Sequence, residues 1–111
     1  MDRANENELE YRGGDSGVKY LLRGPNLDWG VIRLKPGESL GGHYHNETEE
    51  TFYVKAGRAT FISGGEEMAA SAGEALRFEP TEDHDIRNDS DGPVDVVFIK
   101  YPYKPDDKVA L

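Results

Sequence analysis

The stretch "GGHYHNETEETFYVKAGRATF" occupies Gly41 to Phe61 and holds two of the chain's three histidines. Successive side chains of a β-strand point to opposite faces. His43 and His45 therefore project to one side, with Tyr44 on the other. A few residues on, Glu50, Phe52 and Val54 share a face in "ETFYV". A carboxylate in phase with Phe and Val points at a core, where an unpaired charge is expensive. Gly57 then separates "TFYVKAG" from "RATFI", two β-rich runs joined by a tight turn.

The same grammar extends outward. "VKYLLR" begins at Val18, "WGVIRL" spans Trp29 to Leu34, and "KPGES" is a Pro-Gly turn. Beyond Ile62 come the turn "SGGEE", the segment "EMAASAGEALRF", then "HDIRN", the turn "DSDGP" and "VDVVFIKY". The middle segment has helix-friendly composition, but its brevity and flanking glycines predict two strands around Ala72-Gly73. Short runs rich in Val, Ile, Phe, Tyr and Thr, recurring roughly every 8–12 residues, signal an all-β sandwich or barrel. The expected organisation is a polar N-terminal arm over 1–17, one β domain over 18–103, and an irregular tail over 104–111.

The 111 residues suffice for one hydrophobic core. Twenty-two acids against 13 bases give a formal net charge of -9, which repels phosphate backbones and anionic headgroups. Neither nucleic acid nor a membrane is an expected partner, and the acidity reads first as solubility. With no cysteine, disulfides, thiolate nucleophiles and sulfur-ligated metals are excluded, so any metal must take nitrogen and oxygen ligands. "MDRANENELE" lacks the apolar centre of a secretory signal, and no stretch approaches the roughly 18 apolar residues of a membrane span. A cytoplasmic protein is the expectation.

Two imidazoles on one strand face suit a divalent ion, and a nearby carboxylate would complete the set. Glu47, Glu49 and Glu50 are all within reach; Glu50 is favoured because it alone is in phase with the core residues. The third histidine, His84, shares a face with Ile86 and Asn88. Each feature has a plainer explanation. An H-x-H pair can be incidental, an inward histidine can be a satisfied core residue, and a glutamate heading a strand can be a solvated charge.

The spacing of these residues resembles the cupin family. Gly37, His43, His45, Glu50 and Gly57 match its first motif, G-x5-H-x-H-x4-E-x6-G, at every interval. Gly73, His84 and Asn88 fall in register with the second, G-x5-P-x-G-x2-H-x3-N, while Glu79 stands at its proline and Thr81 at its second glycine. The resemblance implies a double-stranded β-helix, or jelly-roll barrel, with His43, His45, Glu50 and His84 binding one metal at its centre. Gly37 and Gly57 would close turns at positive φ.

Three imidazoles and a carboxylate suit a divalent transition metal such as Mn, Fe, Ni or Zn. Four protein ligands on an octahedral ion leave two positions for water or a small bidentate substrate. A metalloenzyme of oxygenase, decarboxylase or isomerase type is therefore expected, acting on a small polar or carboxylate-bearing molecule. Glu50 is also the candidate catalytic carboxylate, and Arg77 the candidate substrate contact. The alternative is a non-catalytic module holding a small ligand or a structural metal. A pocket lined by further polar groups would favour the enzyme; one sealed by Phe52, Phe61 and Phe78 would favour the module. A bare strand such as "DVVFIKY" would be a liability, so a homodimer is expected.

Overall fold

From Glu50 to Val54 alternate side chains are withdrawn from water, with Phe52 and Val54 fully buried and Tyr53 between them exposed. The computed structural model, which describes all 111 residues, repeats this pattern around an antiparallel β-barrel. Its strands are β1 (Gly17–Arg23), β2 (Asp28–Leu34), β3 (His43–Tyr44), β4 (Glu49–Ala56) and β5 (Arg58–Ser63). They continue as β6 (Glu66–Ser71), β7 (Ala75–Phe78), β8 (Asp85–Arg87), β9 (Val94–Tyr101) and β10 (Val109–Ala110). A single 3-10 turn at Glu6–Glu8 is the only helical element, and no helix is long and apolar enough to cross a membrane.

One sheet runs β1-β2-β9-β4-β7. Facing it, β6-β5-β8 continues through the His43–His84 bridge into the β3-β10 pair. The inner faces meet in a core that includes Ile32, Phe52, Phe61, Ile86, Val96 and Phe98. Burying one such side chain stabilises the fold by about 1.5–3 kcal/mol relative to leaving it in water. The segment "EMAASAGEALRF" does form two strands, β6 and β7, with the turn between them.

The place of β9 and the course of the tail differ from the sequence-based expectations, and the N-terminal arm, expected to be ordered only on docking, finds its surface. Strand β9 is no edge: it lies between β2 and β4, as its apolar residues on both faces require. The homodimer loses that support. The N-terminal arm docks on the outer face, where Lys19 donates to the Glu6 carbonyl at 2.7 Å and sits over the Tyr11 ring. This cover explains why Lys19 and the outward Val31 are buried. Finally, the tail returns to the barrel, and β10 pairs Val109 with Tyr44 and Ala110 with His43.

The motif glycines behave as turn chemistry demands. Gly37 and Gly57 have φ of 86° and 83°. A Cβ on Gly57 would also lie 2.5 Å from the Pro93 carbonyl oxygen, so the β4–β5 turn excludes any side chain there. Thr81, at a glycine position of the family motif, has φ 74° and is the one non-glycine residue in the left-handed region. A β-branched side chain is strained there.

Candidate metal centre

His43 and His84 face each other across a two-way backbone bridge: His43 N–H donates to the His84 carbonyl at 3.0 Å, and His84 N–H donates to the His43 carbonyl at 2.8 Å. His45 follows two residues after His43, and Glu50 enters from β4 in register with Phe78 and Lys100 on its flanking strands. All four side chains are buried, with residue exposures of only 1–4%. One ligand atom from each falls within 4.8 Å of the others.

The hydrogen bonds fix how these rings are protonated. Nδ1 of His43 pairs with the Gly41 carbonyl at 3.0 Å, Nδ1 of His84 with the Glu82 carbonyl at 3.1 Å, and Nδ1 of His45 with the Asp107 carbonyl. A carbonyl only accepts, so each Nδ1 carries a proton, and in a neutral ring Nε2 presents a lone pair. All three Nε2 atoms converge on Glu50 Oε1, at 3.6 Å from His43 and 3.1 Å from both His45 and His84. Three lone pairs aimed at an anionic oxygen in a buried site repel one another unless a cation, either protons or a metal ion, sits among them.

The spacing suits an ion. Two ligands at right angles around a metal at about 2.1 Å are about 3.0 Å apart, close to the contacts of His45 and His84 with Glu50. Backbone carbonyls holding the far nitrogen of each ring are the usual means of orienting metal-binding histidines. Burial pushes the Glu50 carboxyl upward, but protons on the three Nε2 atoms, or a metal ion in their place, together with the charge of Lys100 outweigh it and hold it well below the ordinary carboxylate range. Glu50 thus stays ionised, as a ligand must.

Residues 30–100 match the family model described as the cupin domain. The chain belongs to the cupin family. Over 76 residues this cupin is 36% identical to the tetracenomycin polyketide synthase protein TcmJ of Streptomyces glaucescens, covering 68% of this chain and 51% of that protein. Over 68 residues it is 31% identical to an oxalate-binding protein of Thermotoga maritima, covering 61% of this chain and 54% of that protein. The chain spans about half the length of these two curated relatives. Among solved structures, a conserved double-stranded β-helix protein from Klebsiella pneumoniae superposes with a TM-score of 0.85 over 99% of this chain and 97% of its own. At 19% identity, that likeness is one of fold.

The cupin barrel brings His43, His45, Glu50 and His84 together, but it does not bring Arg77 to them. Arg77 pairs with Thr51 in the β4–β7 register, one residue out of phase with Glu50 and Phe78. Its side chain is 61% exposed on the outer surface, 3.2 Å from Glu79 and 3.7 Å from Glu49. Arg87 likewise faces out, bound to Glu67 and Asp89. Asn88 is fully buried and ties the turn after β8, donating to the carbonyls of Leu34 and Gly92.

One wall of the centre is aromatic. Phe78 stacks on His84 with ring centroids 4.7 Å apart, and Phe52 meets the same imidazole edge-on at 5.7 Å. The opposite side, at His45, opens on polar residues that sequence reading passed over. Lys100 is opposite Glu50 in register and in phase with Val94, Val96 and Phe98. Period two along "VDVVFIKY" was a signal for it. Asp107 carried no such signal, because its role depends on the tail folding back.

Proposed function

We propose that this cupin holds one divalent transition metal, of the Mn, Fe, Ni or Zn type, on Nε2 of His43, His45 and His84 and the carboxylate of Glu50, and that it acts there on a small carboxylate-bearing molecule. The convergence of three tautomer-fixed Nε2 atoms on Glu50 Oε1 carries the reading. A metal so held supplies Lewis-acid polarisation of a carbonyl or carboxylate. The likeness to an oxalate-binding protein supports a carboxylate ligand.

The chain's own groups divide the remaining work. Each Nδ1–H is committed to a carbonyl, so no histidine is free to exchange a proton with a substrate. The imidazole contacts fall on Oε1 of Glu50, which leaves its second oxygen as the available proton acceptor. Phe52 and Phe78 exclude water from the His84 side. Oxygenase, decarboxylase and isomerase chemistry all fit these roles.

The second reading is a non-catalytic module with a structural metal, and the aromatic wall against His84 favours it. Elemental analysis of the purified protein beside a His43→Ala/His84→Ala variant tests the common premise. About one metal per chain, lost in the variant, supports the centre; none in either protein makes the histidines structural. Dioxygen uptake, carbon dioxide release and loss of substrate followed by NMR, with the loaded protein and a panel of short carboxylic and keto acids, then separate enzyme from module.

A further inference from the structure

A cavity of about 150 Å³ opens beside His45, between the end of β9 and the returning tail. Its lining is basic on a chain whose net charge is -9: five Lys or Arg side chains face it, against two aspartates. Both acids are already engaged. The Asp107 carboxylate accepts from the N–H groups of Asn46, Glu47 and Thr48 at 2.7–3.0 Å, and Asp28 lies 3.4 Å from Nε of Arg23. Three of the bases, Arg12, Lys100 and Lys108, have no carboxylate partner within 4.0 Å.

Lys100 is the least expected of them. It enters from the inner face of β9, in register with Glu50 on one side and Asp28 on the other. Its ammonium donates to the Tyr20 hydroxyl at 2.6 Å and lies 5.0 Å from the Tyr20 ring centroid. An ammonium has three donors, so two remain without a protein acceptor. The charge of Glu50 offsets that of Lys100 in part but takes no hydrogen bond from it, which leaves those two donors for an anion in the cavity.

We propose that this cavity is the anion subsite of the centre, with Lys100 as its anchoring cation and a small organic carboxylate as its ligand. The inference rests on the metal-centre reading for what the ligand meets at its other end, since His45 lines both the cavity and the cluster. The volume is that of about five waters, which suits an acid of a few carbons. The Tyr20 hydroxyl, held by Lys100, fixes the direction of the ammonium, so the charge is in place before the ligand arrives.

The test is calorimetric titration of malonate into manganese-loaded and EDTA-treated protein, with metal content and thermal melting measured on every sample. Wild type is expected to bind malonate and not its neutral analogue malonamide. Lys100→Met is expected to keep its metal and lose at least about tenfold in malonate affinity, the loss of one charge-assisted hydrogen bond. Lys100→Arg, which keeps the charge, is expected to recover most of it, and Lys55→Met on the outer face to change nothing. Equal binding by Lys100→Met, equal binding of malonamide, or no malonate binding by loaded wild type overturns the proposal. The two readings fail separately. A wild type that takes up none of manganese, iron, nickel and zinc, offered in turn, yet binds malonate through Lys100 sinks the metal centre and keeps the anion site. One manganese per chain with binding indifferent to Lys100 does the reverse.

Discussion

The backbone carbonyl of Asp107 accepts a hydrogen bond from Nδ1 of His45, 62 residues earlier in the chain. The side chain of the same aspartate accepts from the N–H groups of Asn46, Glu47 and Thr48. One residue of the tail therefore sets the tautomer of one candidate ligand and clamps the turn leading to the next, Glu50. The β10–β3 pairing holds the tail in place while it does so.

Replacing Asp107 by alanine should loosen that turn without touching a candidate ligand. Alanine keeps the carbonyl that holds His45, so metal affinity should fall through the loosened turn alone, by less than the about 10–100-fold that removing a ligand's own hydrogen-bond partner costs. Losing a carboxylate that caps three backbone donors should also lower stability by about 0.5–2 kcal/mol, as loss of a helix cap does. Competition with a fluorescent chelator reads the first effect and denaturant unfolding the second. Unchanged metal affinity in Asp107→Ala would mean that the tail merely covers the site.

The same carboxylate gives a pH signature. Burial raises its pKa, but the hydrogen bonds from the backbone of Glu47, Asn46 and Thr48 outweigh burial and leave it lowered. A group depressed in the folded state adds stability above its unfolded value, near 3.9, and loses it as pH falls through the folded one. The melting-temperature gap between metal-free wild type and Asp107→Ala should therefore be widest near neutral pH. It should close progressively below about pH 4. Glu50 titrates in both proteins and cancels from the difference. A gap that stays constant down to about pH 2.5 would refute the assignment.

How far the sequence reached follows from the range of each interaction. Strand period two placed His43 with His45, Glu50 with Phe52, and His84 with Ile86, because each is a local phase relation. The same rule sends Arg77 outward, since Phe78 beside it is the buried residue. Lys100 was legible as a lysine on an apolar face, although a charge near a strand end usually stays hydrated. Asp107 was not legible, because nothing within "KPDDKVAL" indicates that it meets His45. The central place of β9 likewise depends on pairings with β2 and β4, which lie far off in sequence.

Glu50→Gln separates a metal centre from a polar core. A carboxylate oxygen cannot donate to any of the three Nε2 lone pairs, whereas the amide of glutamine can donate to two of them. In EDTA-treated protein near neutral pH, Glu50→Gln should therefore be at least as stable as wild type, with two N–H···N contacts replacing a repulsive arrangement. Adding metal should reverse the order. Wild type gains stability in proportion to the logarithm of free metal over its dissociation constant, about 2.7 kcal/mol at a hundredfold excess. The variant gains far less. Thermal melts of both proteins across a metal titration would show the crossing, and parallel curves would count against Glu50 as a ligand.

Thr81 offers the clearest backbone test. Its φ of 74° puts a β-branched residue in the left-handed region at a family glycine position, while its N–H donates to the His45 carbonyl at 2.6 Å. That conformation costs an L-residue about 1–2 kcal/mol. Thr81→Gly removes the strain and keeps the N–H, at an entropic cost in the unfolded chain of about 0.5–1 kcal/mol. The net expectation is a gain of about 0.5–1 kcal/mol, or a few degrees in melting temperature. Thr81→Val, with the same branching and no hydroxyl, should gain nothing. If Thr81→Gly melts lower than wild type, the hydroxyl or methyl contributes packing that outweighs the strain, and the turn before His84 is held by its side chain rather than in spite of it.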